Sequence, residues 1–217
     1  MRDTFHDELD QIGRALVEMS ELVGTAMRRA TTALLDADVS LAESVISDDA
    51  RVDALYRAVE ERAMDLLARQ QPVAGDLRII VTSLRMVADM ERMGDMALHV
   101  AKIARLRYPI PAVPPELHDT IRQMGEVAQH IVAKAGEVID GRDVAQALEL
   151  ESDDDAMDAL HRTLFTALLS EEWNHGVEPA VDVTLIGRYY ERFADHAVSV
   201  ARRVVYLVTG QMPARRS

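Results

Sequence analysis

The sequence predicts an all-α fold: two tandem antiparallel three-helix bundles related by an internal repeat. Three observations predict it. Apolar or small residues recur at helical spacing along almost all of the 217 residues, with no β-hairpin signal between them. The composition is 48% hydrophobic but only 4% aromatic, which suits helices packed by Leu, Val, Ile, Met and Ala better than a β-sandwich. Two stretches also repeat in register, Asp89-Met-Glu-Arg-Met-Gly-Asp95 and Tyr189-Tyr-Glu-Arg-Phe-Ala-Asp195. Upstream lies a second matching pair, Asp48-Asp-Ala-Arg-Val-Asp53-Ala-Leu and Asp153-Asp-Asp-Ala-Met-Asp158-Ala-Leu.

The first helix follows from Phe5, Leu9, Ile12, Leu16, Met19, Val23, Ala26 and Ala30, an alternating four–three stripe, with Thr4 and Asp7 as a capping box. A second helix is expected from about Ser40, boxed by Glu43. Val45, Val52, Leu55, Val59 and Leu66 line one side of it, and Gln71-Pro72 ends it. Asp76 is the expected cap of the third helix, whose stripe reads Leu77, Ile80, Leu84, Val87, Glu91, Gly94, Leu98 and Ala101. Tyr108-Pro-Ile-Pro-Ala-Val-Pro-Pro115 breaks the pattern as a stiff linker. Leu117, Ile121, Met124, Ala128, Ile131, Ala135 and Val138 make the fourth helix, stopped by Gly141. The fifth is expected from about Val144 to Leu169 and the sixth from about Glu178 to Val208, on a stripe reading Val177, Ala180, Thr184, Gly187, Glu191, Ala194, Val198 and Ala201.

The organisation is thus residues 1–108 as the first repeat, 109–115 as linker, 116–210 as the second repeat and 211–217 as a loose basic tail. Asp49 maps onto Asp154 at an offset of 105 residues and Glu91 onto Glu191 at an offset of 100, so the later half has a shorter connection between its second and third helices. An apolar stripe on each of three long helices is satisfied by an antiparallel bundle with shallow crossing angles.

The formal charge of −13 works against nucleic-acid binding, which needs a basic footprint, and favours cations or basic partner surfaces. Without cysteine there are no disulfides and no thiolate metal sites. Neither a signal peptide nor an apolar run of membrane-spanning length is visible. No Ser/His/Asp arrangement, P-loop or Gly-rich nucleotide turn points to a nucleophilic or nucleotide-dependent enzyme.

The repeated motifs place two carboxylates at i and i+4, on one helix face, where they repel unless a proton, a basic side chain or a metal ion intervenes. Spacing alone is weak, since Asp3/Asp7, Glu61/Asp65, Glu149/Asp153 and Glu178/Asp182 share it. The motif pairs are set apart by recurrence in both halves, by Glu91 and Glu191 falling on apolar stripes, and by small neighbours at Gly94, Gly187 and Ala194. A carboxylate at a core edge needs a partner. Arg92 and Arg192 point about 100° away from their neighbouring Glu. Arg51, Arg57, Arg162 and Arg188 are other candidates. The remaining choice is a hard or borderline cation: Mg²⁺, Mn²⁺, Ca²⁺, iron or zinc. The residues alone leave ion pairs, solvated faces and bound metal open. They also leave open a regulatory adaptor, a carboxylate-bridged metalloenzyme and a metal-free helical scaffold.

The chain resembles the PhoU family, accessory regulators of high-affinity phosphate uptake. The resemblance rests on Arg69-Gln-Gln-Pro-Val-Ala-Gly-Asp-Leu-Arg78, Met90-Glu-Arg-Met-Gly-Asp-Met-Ala97, Tyr190-Glu-Arg-Phe-Ala-Asp-His-Ala197 and the two Asp-x-x-x-Asp segments, in order over nearly the whole length. The second Glu-Arg motif departs from the family by carrying Phe193-Ala194 where Ile-Gly is common. The resemblance implies tandem three-helix bundles whose acidic motifs hold metal clusters, iron or zinc among them. Carried over by position, the metal residues are Asp49, Asp53, Glu91 and Asp95, and Asp154, Asp158, Glu191 and Asp195. It also implies a non-enzymatic, cytoplasmic role that links the ATPase subunit of a phosphate ABC transporter to a sensor histidine kinase and holds the phosphate-starvation response off. A homodimer is the expected assembly.

Among the other residues, His99 follows Asp95 by one turn and His196 follows Asp195 directly; an ordinary surface or core-edge role is the simpler reading for His99. His161 stands three residues after Asp158, a spacing that can coordinate iron. Met19, Met27, Met86, Met90, Met93 and Met124 read as core filler, and Trp173 as packing against a loop.

Overall fold

A computed structural model describes residues 2–214. Its six helices are α1 (Arg2–Asp36), α2 (Val39–Gln70), α3 (Gly75–Arg107), α4 (His118–Gly141), α5 (Val144–Leu168) and α6 (Val177–Thr209). A single 3₁₀ turn, Pro115–Leu117, leads into α4, and no strand occurs among the described residues. Successive helices within each half pack on one another as two three-helix units.

The stripes of α1 and α4 are buried as the periodicity requires, with Ile12, Leu16, Met19 and Val23 of α1 and Ile121, Met124, Ala128 and Ile131 of α4 all part of one core. All six core-filler methionines are buried. The register of α3 and α6 differs from the expected one. Leu77 and Val177 are exposed, and the most enclosed rows are Ser83, Met86, Met90, Met93, Ala97 and Val100 on α3, and Val183, Ile186, Tyr190, Phe193, Ala197 and Val200 on α6. The physical reason is placement: α3 packs on α1 and α6 as well as on α2, and α6 on α3 and α4 as well as on α5, so the row that borders α2 or α5 is not the most enclosed one. The row through Glu91 and Gly94, and that through Glu191 and Ala194, borders the outer helices α2 and α5 instead.

The two halves share their core. Helices α1, α3, α6 and α4 pack in a closed ring, with α2 and α5 outside it. Close approach of α1 to α4 depends on glycine: a methyl at Gly24 would meet Val132 Cγ1 at 2.9 Å, and one at Gly125 would meet Thr31 Cγ2 at 2.8 Å. The Tyr190 hydroxyl donates to Thr31 Oγ1 at 2.6 Å, because the Thr31 proton is already committed to the Met27 carbonyl at 2.8 Å. The α3–α6 seam carries ion pairs, Arg107 to Asp182 and Glu178 and Asp89 to Arg203 at 2.7 Å, and a hydrogen bond between Asp89 and His196 at 3.1 Å. Ala112 and Val113 of the linker are buried against this core.

The connection between the later two helices is not shorter in the second half as expected: residues 169–176 join α5 to α6 and only 71–74 join α2 to α3, and the change of offset arises because α5, at 25 residues, is shorter than α2, at 32. Several helix ends also differ from expectation. Asp38, not Ser40, caps α2, accepting from the Leu41 N–H at 2.9 Å; its extended backbone aims the carboxylate at that donor. Asp76 lies inside the first turn of α3, two positions past Ala74 at the cap, where its charge still suits the helix N-terminus. Helix α4 continues through Gly141 and ends on Arg142 in the left-handed region, φ 51°. Helix α1 already runs from Arg2, and the Thr4 side chain expected in a capping box lies outside the described residues. The start of the expected loose tail is tied down, since the Pro213 carbonyl accepts from Arg202 at 2.6 Å; Arg215 to Ser217 lie outside the described residues. Trp173 donates to the Gly176 carbonyl at 2.9 Å, packing on its loop as predicted.

Candidate metal centres

Each half presents an acidic face where its two later helices meet. In the first half, Asp49 and Asp53 of α2 look toward Glu91 and Asp95 of α3. Asp49, Glu91 and Asp95 are half-buried and Asp53 is exposed. A Cβ at Gly94 would lie 3.2 Å from Asp49 Oδ1, so the missing side chain gives that carboxylate its place against α3. Burial pushes the Asp49 carboxyl up, Asp53 and Asp95 add to the rise, and Lys102 and His99 oppose it. Burial likewise raises Glu91, helped by Asp95, Asp53 and Asp49 and countered by Arg92.

In the second half, Asp154 and Glu191 are half-buried, and Asp158 and Asp195 are exposed. An open groove of about 630 Å³ runs along this face, lined by Asp154, Asp158, Asp195, Arg188, Arg192 and Arg202. Asp154 is pushed up to about 7, by burial first and then by Asp195, Asp158, Glu191 and Asp155. Glu191 is raised by burial and Asp195, against Arg188 and His161.

The eight positions therefore form two electrostatic neighbourhoods, one per half. Among the described residues, however, no group of three acidic or histidine side chains closes on a common ligating point. Basic partners take part of the charge. Arg188 pairs with Glu191, Arg57 Nη2 is 3.9 Å from Asp53, and Arg92 Nε is 3.9 Å from Glu91, nearer than its place around the helix suggested.

Fit to a metal ion differs between the halves. At the second face, Asp154 Oδ1 and His161 Nε2 are buried atoms without a hydrogen-bond partner, and both are donors that a cation satisfies. Asp154 and His161 stand at i and i+7 on α5, about 10 Å apart along the helix axis, and close on no common ion. At the first face the donor chemistry fits, but Lys102 already supplies positive charge near Asp49. His99 Nδ1 lies 2.6 Å from the Asp95 carbonyl, and its ring packs on Tyr189. His196 turns to Asp89 across the seam rather than to Asp195. The Glu-x-x-His spacing at Glu172 and His175 falls in the turn before α6, where His175 bonds Glu116, and it builds no bundle-core di-iron centre.

Sequence reasoning passed over the charges that flank these faces. Lys102 and Arg202 stand at matched positions, offset by 100 residues, the offset that relates Glu91 to Glu191. Applying that offset to the basic residues would have found them. The ion pairs Asp89–Arg203 and Arg107–Asp182 left no such signal, because they join residues of different halves.

Fold and site together define a duplicated three-helix protein with one acidic face in each half. The PhoU domain model matches residues 16–104 and 121–204, and the chain belongs to the PhoU family. It is 54% identical over 213 residues to phosphate-specific transport system accessory protein PhoU homolog 2 of Mycobacterium tuberculosis, covering 98% of this chain and 100% of that one. It is 51% identical to PhoU homolog 1 of Mycobacterium leprae, covering 98% and 96%. The crystal structure of PhoU from Pseudomonas aeruginosa superposes with a TM-score of 0.86 at 30% identity, over 95% of this chain and 100% of that chain. The phosphate transport system regulatory protein PhoU from Streptococcus pneumoniae also gives 0.86, at 25% identity, over 97% and 100%.

Proposed function

We propose that the chain is a non-enzymatic regulator of phosphate uptake. It acts at the cytoplasmic face, as a homodimer, between the ATPase subunit of a phosphate ABC transporter and a sensor histidine kinase. The observation that carries this reading is near-full-length similarity to proteins named as phosphate transport accessory proteins. Among the described residues no helix is long and apolar enough to cross a membrane, so association with a membrane complex is peripheral in this reading. Two exposed apolar ends offer partner surfaces: Met64, Val73, Leu77 and Val81 near the α2–α3 turn, and Leu169, Val177, Val181 and Leu185 near the α5–α6 turn.

In this reading each acidic face holds divalent or ferric ions of the iron, zinc, manganese or magnesium class. The ion supplies positive charge that draws α2 to α3, or α5 to α6. Asp49, Asp53, Glu91 and Asp95 hold it in the first half, and Asp154, Asp158, Glu191 and Asp195 in the second. Copurification from cells at high and low phosphate, with elemental analysis of the purified protein, tests both parts. Recovery of the ATPase subunit and the kinase is expected, with bound metal reduced in a Glu91→Ala/Asp95→Ala variant. Absence of both partners sinks the adaptor role; unchanged metal in the variant sinks the first-face assignment.

A further inference from the structure

We infer that the start of α3 docks an acidic segment of a protein partner along the strip Leu77, Arg78, Val81 and Arg85, the two arginines taking carboxylates and the two aliphatic side chains taking apolar residues. This rests on the regulator reading above and names the surface and the partner chemistry that it leaves open.

Leu77, Val81 and Arg85 follow one another at four-residue steps on α3, and Arg78 and Arg85 are seven apart, so the four share one helix face. Leu77, Val81 and Arg85 are exposed, and Arg78 is half-buried. The Arg78 guanidinium lies against Gly210, the left-handed residue that ends α6; a Cβ there would run into its Nη1. Exposed Val208 and Met212 stand two residues to either side of Gly210, so they carry the apolar strip across the end of α6. On the same seam Arg107, Arg202 and Arg203 are each engaged by a carboxylate. Among the described residues, Arg78 and Arg85 have neither an ion pair nor a hydrogen bond, and Arg78 Nε is buried. A guanidinium N–H shut away from water without an acceptor is costly, and a carboxylate is the group that its planar fork matches.

The matched strip of α6, at the offset of 100 residues, reads Val177, Glu178, Val181 and Leu185. It is apolar too, but its one charge is acidic and already held by Arg107, and leucine stands where α3 has Arg85. Of the two strips, only that of α3 offers free positive charge, in a chain whose formal charge is −13. An extended anionic surface such as a lipid headgroup layer is repelled by the rest of the molecule. A short segment that brings carboxylates to two points is not. The two arginines are about 10 Å apart along the helix axis. A partner helix with Asp or Glu at i and i+7, and apolar residues at i+3 or i+4 between them, matches that spacing.

The test uses the full chain, with the purified ATPase subunit of the phosphate transporter and the solubilised sensor kinase as probes, and affinity read by biolayer interferometry. The variants are Arg78→Glu/Arg85→Glu and Arg85→Glu alone, with Arg105→Glu, an exposed arginine at the far end of α3, as control. For at least one probe, affinity is expected to fall at least about tenfold in the double variant and about threefold in Arg85→Glu, and to stay within about twofold in the control. Arg85 is exposed, so its reversal stays readable if the Arg78 change lowers the melting temperature. Wild-type affinity for that probe should weaken as salt rises, and less steeply in the double variant. Affinities unchanged in every variant overturn the inference and leave the regulator reading standing. Loss of binding to 3:1 phosphatidylcholine/phosphatidylglycerol vesicles, or of a dimer in sedimentation, with probe affinities unchanged, gives the strip to lipid or to a second copy and overturns it as well. Failure of both probes to bind the wild-type chain overturns the regulator reading and the inference with it.

Discussion

At the first acidic face Lys102 and His99 set positive charge against Asp49, whereas at the second the leading influences on Asp154 are burial and four neighbouring carboxylates. The matched basic residue of the second half, Arg202, is engaged elsewhere, with Glu151 at 2.8 Å and the Pro213 carbonyl at 2.6 Å. Duplication preserved the carboxylate spacing but not the surrounding charge. The second face therefore holds its half-buried Asp154 against like charges, while the charge on the first is partly neutralised from within. Equivalent motifs in a repeat protein need not have equivalent chemistry, because a carboxylate's behaviour depends on neighbours that the motif does not contain.

The sharpest way to break this comparison is to exchange the residues that shape the two faces. Val87→Gly removes a fully buried side chain and adds helix-interior glycine, so it should destabilise by about 3 kcal/mol in urea unfolding. Gly187→Val, the reverse exchange, drives a side chain into His161 and Leu164 and should cost about 1–3 kcal/mol. If both exchanges prove neutral, the packing difference between the faces is not real.

Protonation gives the next largest effect. Asp154 in the folded chain titrates near 7, well above an unfolded carboxyl, so the folded state holds the extra proton between these values. Its contribution to stability is present at low pH and lost as pH rises toward and through 7. Metal-free Asp154→Asn should therefore melt higher than wild type at pH 8, with the advantage shrinking as pH falls below 7 and gone below the ordinary carboxyl value. Asp49→Asn should show the same sign with a smaller difference, since Lys102 and His99 already oppose the rise there. Metal competes with the same proton, so wild-type metal affinity should climb as pH rises through 7. A flat difference between Asp154→Asn and wild type across this range would remove the electrostatic contrast.

The smallest expected effect concerns the seam between the halves. Tyr190 is matched in the first half by Met90, and only the tyrosine reaches across to the other half, through Thr31. Tyr190→Phe should cost about 1 kcal/mol in urea unfolding, the usual net value of one buried hydrogen bond. Met90→Leu, which keeps an apolar side chain of similar volume, should stay under about 1.5 kcal/mol.

Much of this architecture is legible without coordinates. The four–three rhythm of α1 and α4 gives their buried faces, and the offsets of 105 and 100 residues pair the acidic positions. The cap of α2 lies two residues before Ser40 because Asp and Ser near a helix start compete on equal local terms and backbone direction chooses between them, whereas α3 starts at Ala74, which makes no side-chain cap bond and so leaves no signal.

By itself the sequence determined six amphipathic helices, their duplication and the carboxylate pairs on single helix faces, because these depend on spacing along one chain. Only the tertiary structure decided that α1, α3, α4 and α6 share a core, which row of α3 and α6 is most enclosed, and that Asp154 and His161 carry unpartnered buried atoms. Burial, desolvation and charge coupling are set by distances through space, and residues more than a hundred positions apart, such as Thr31 and Tyr190, meet only once the helices have packed.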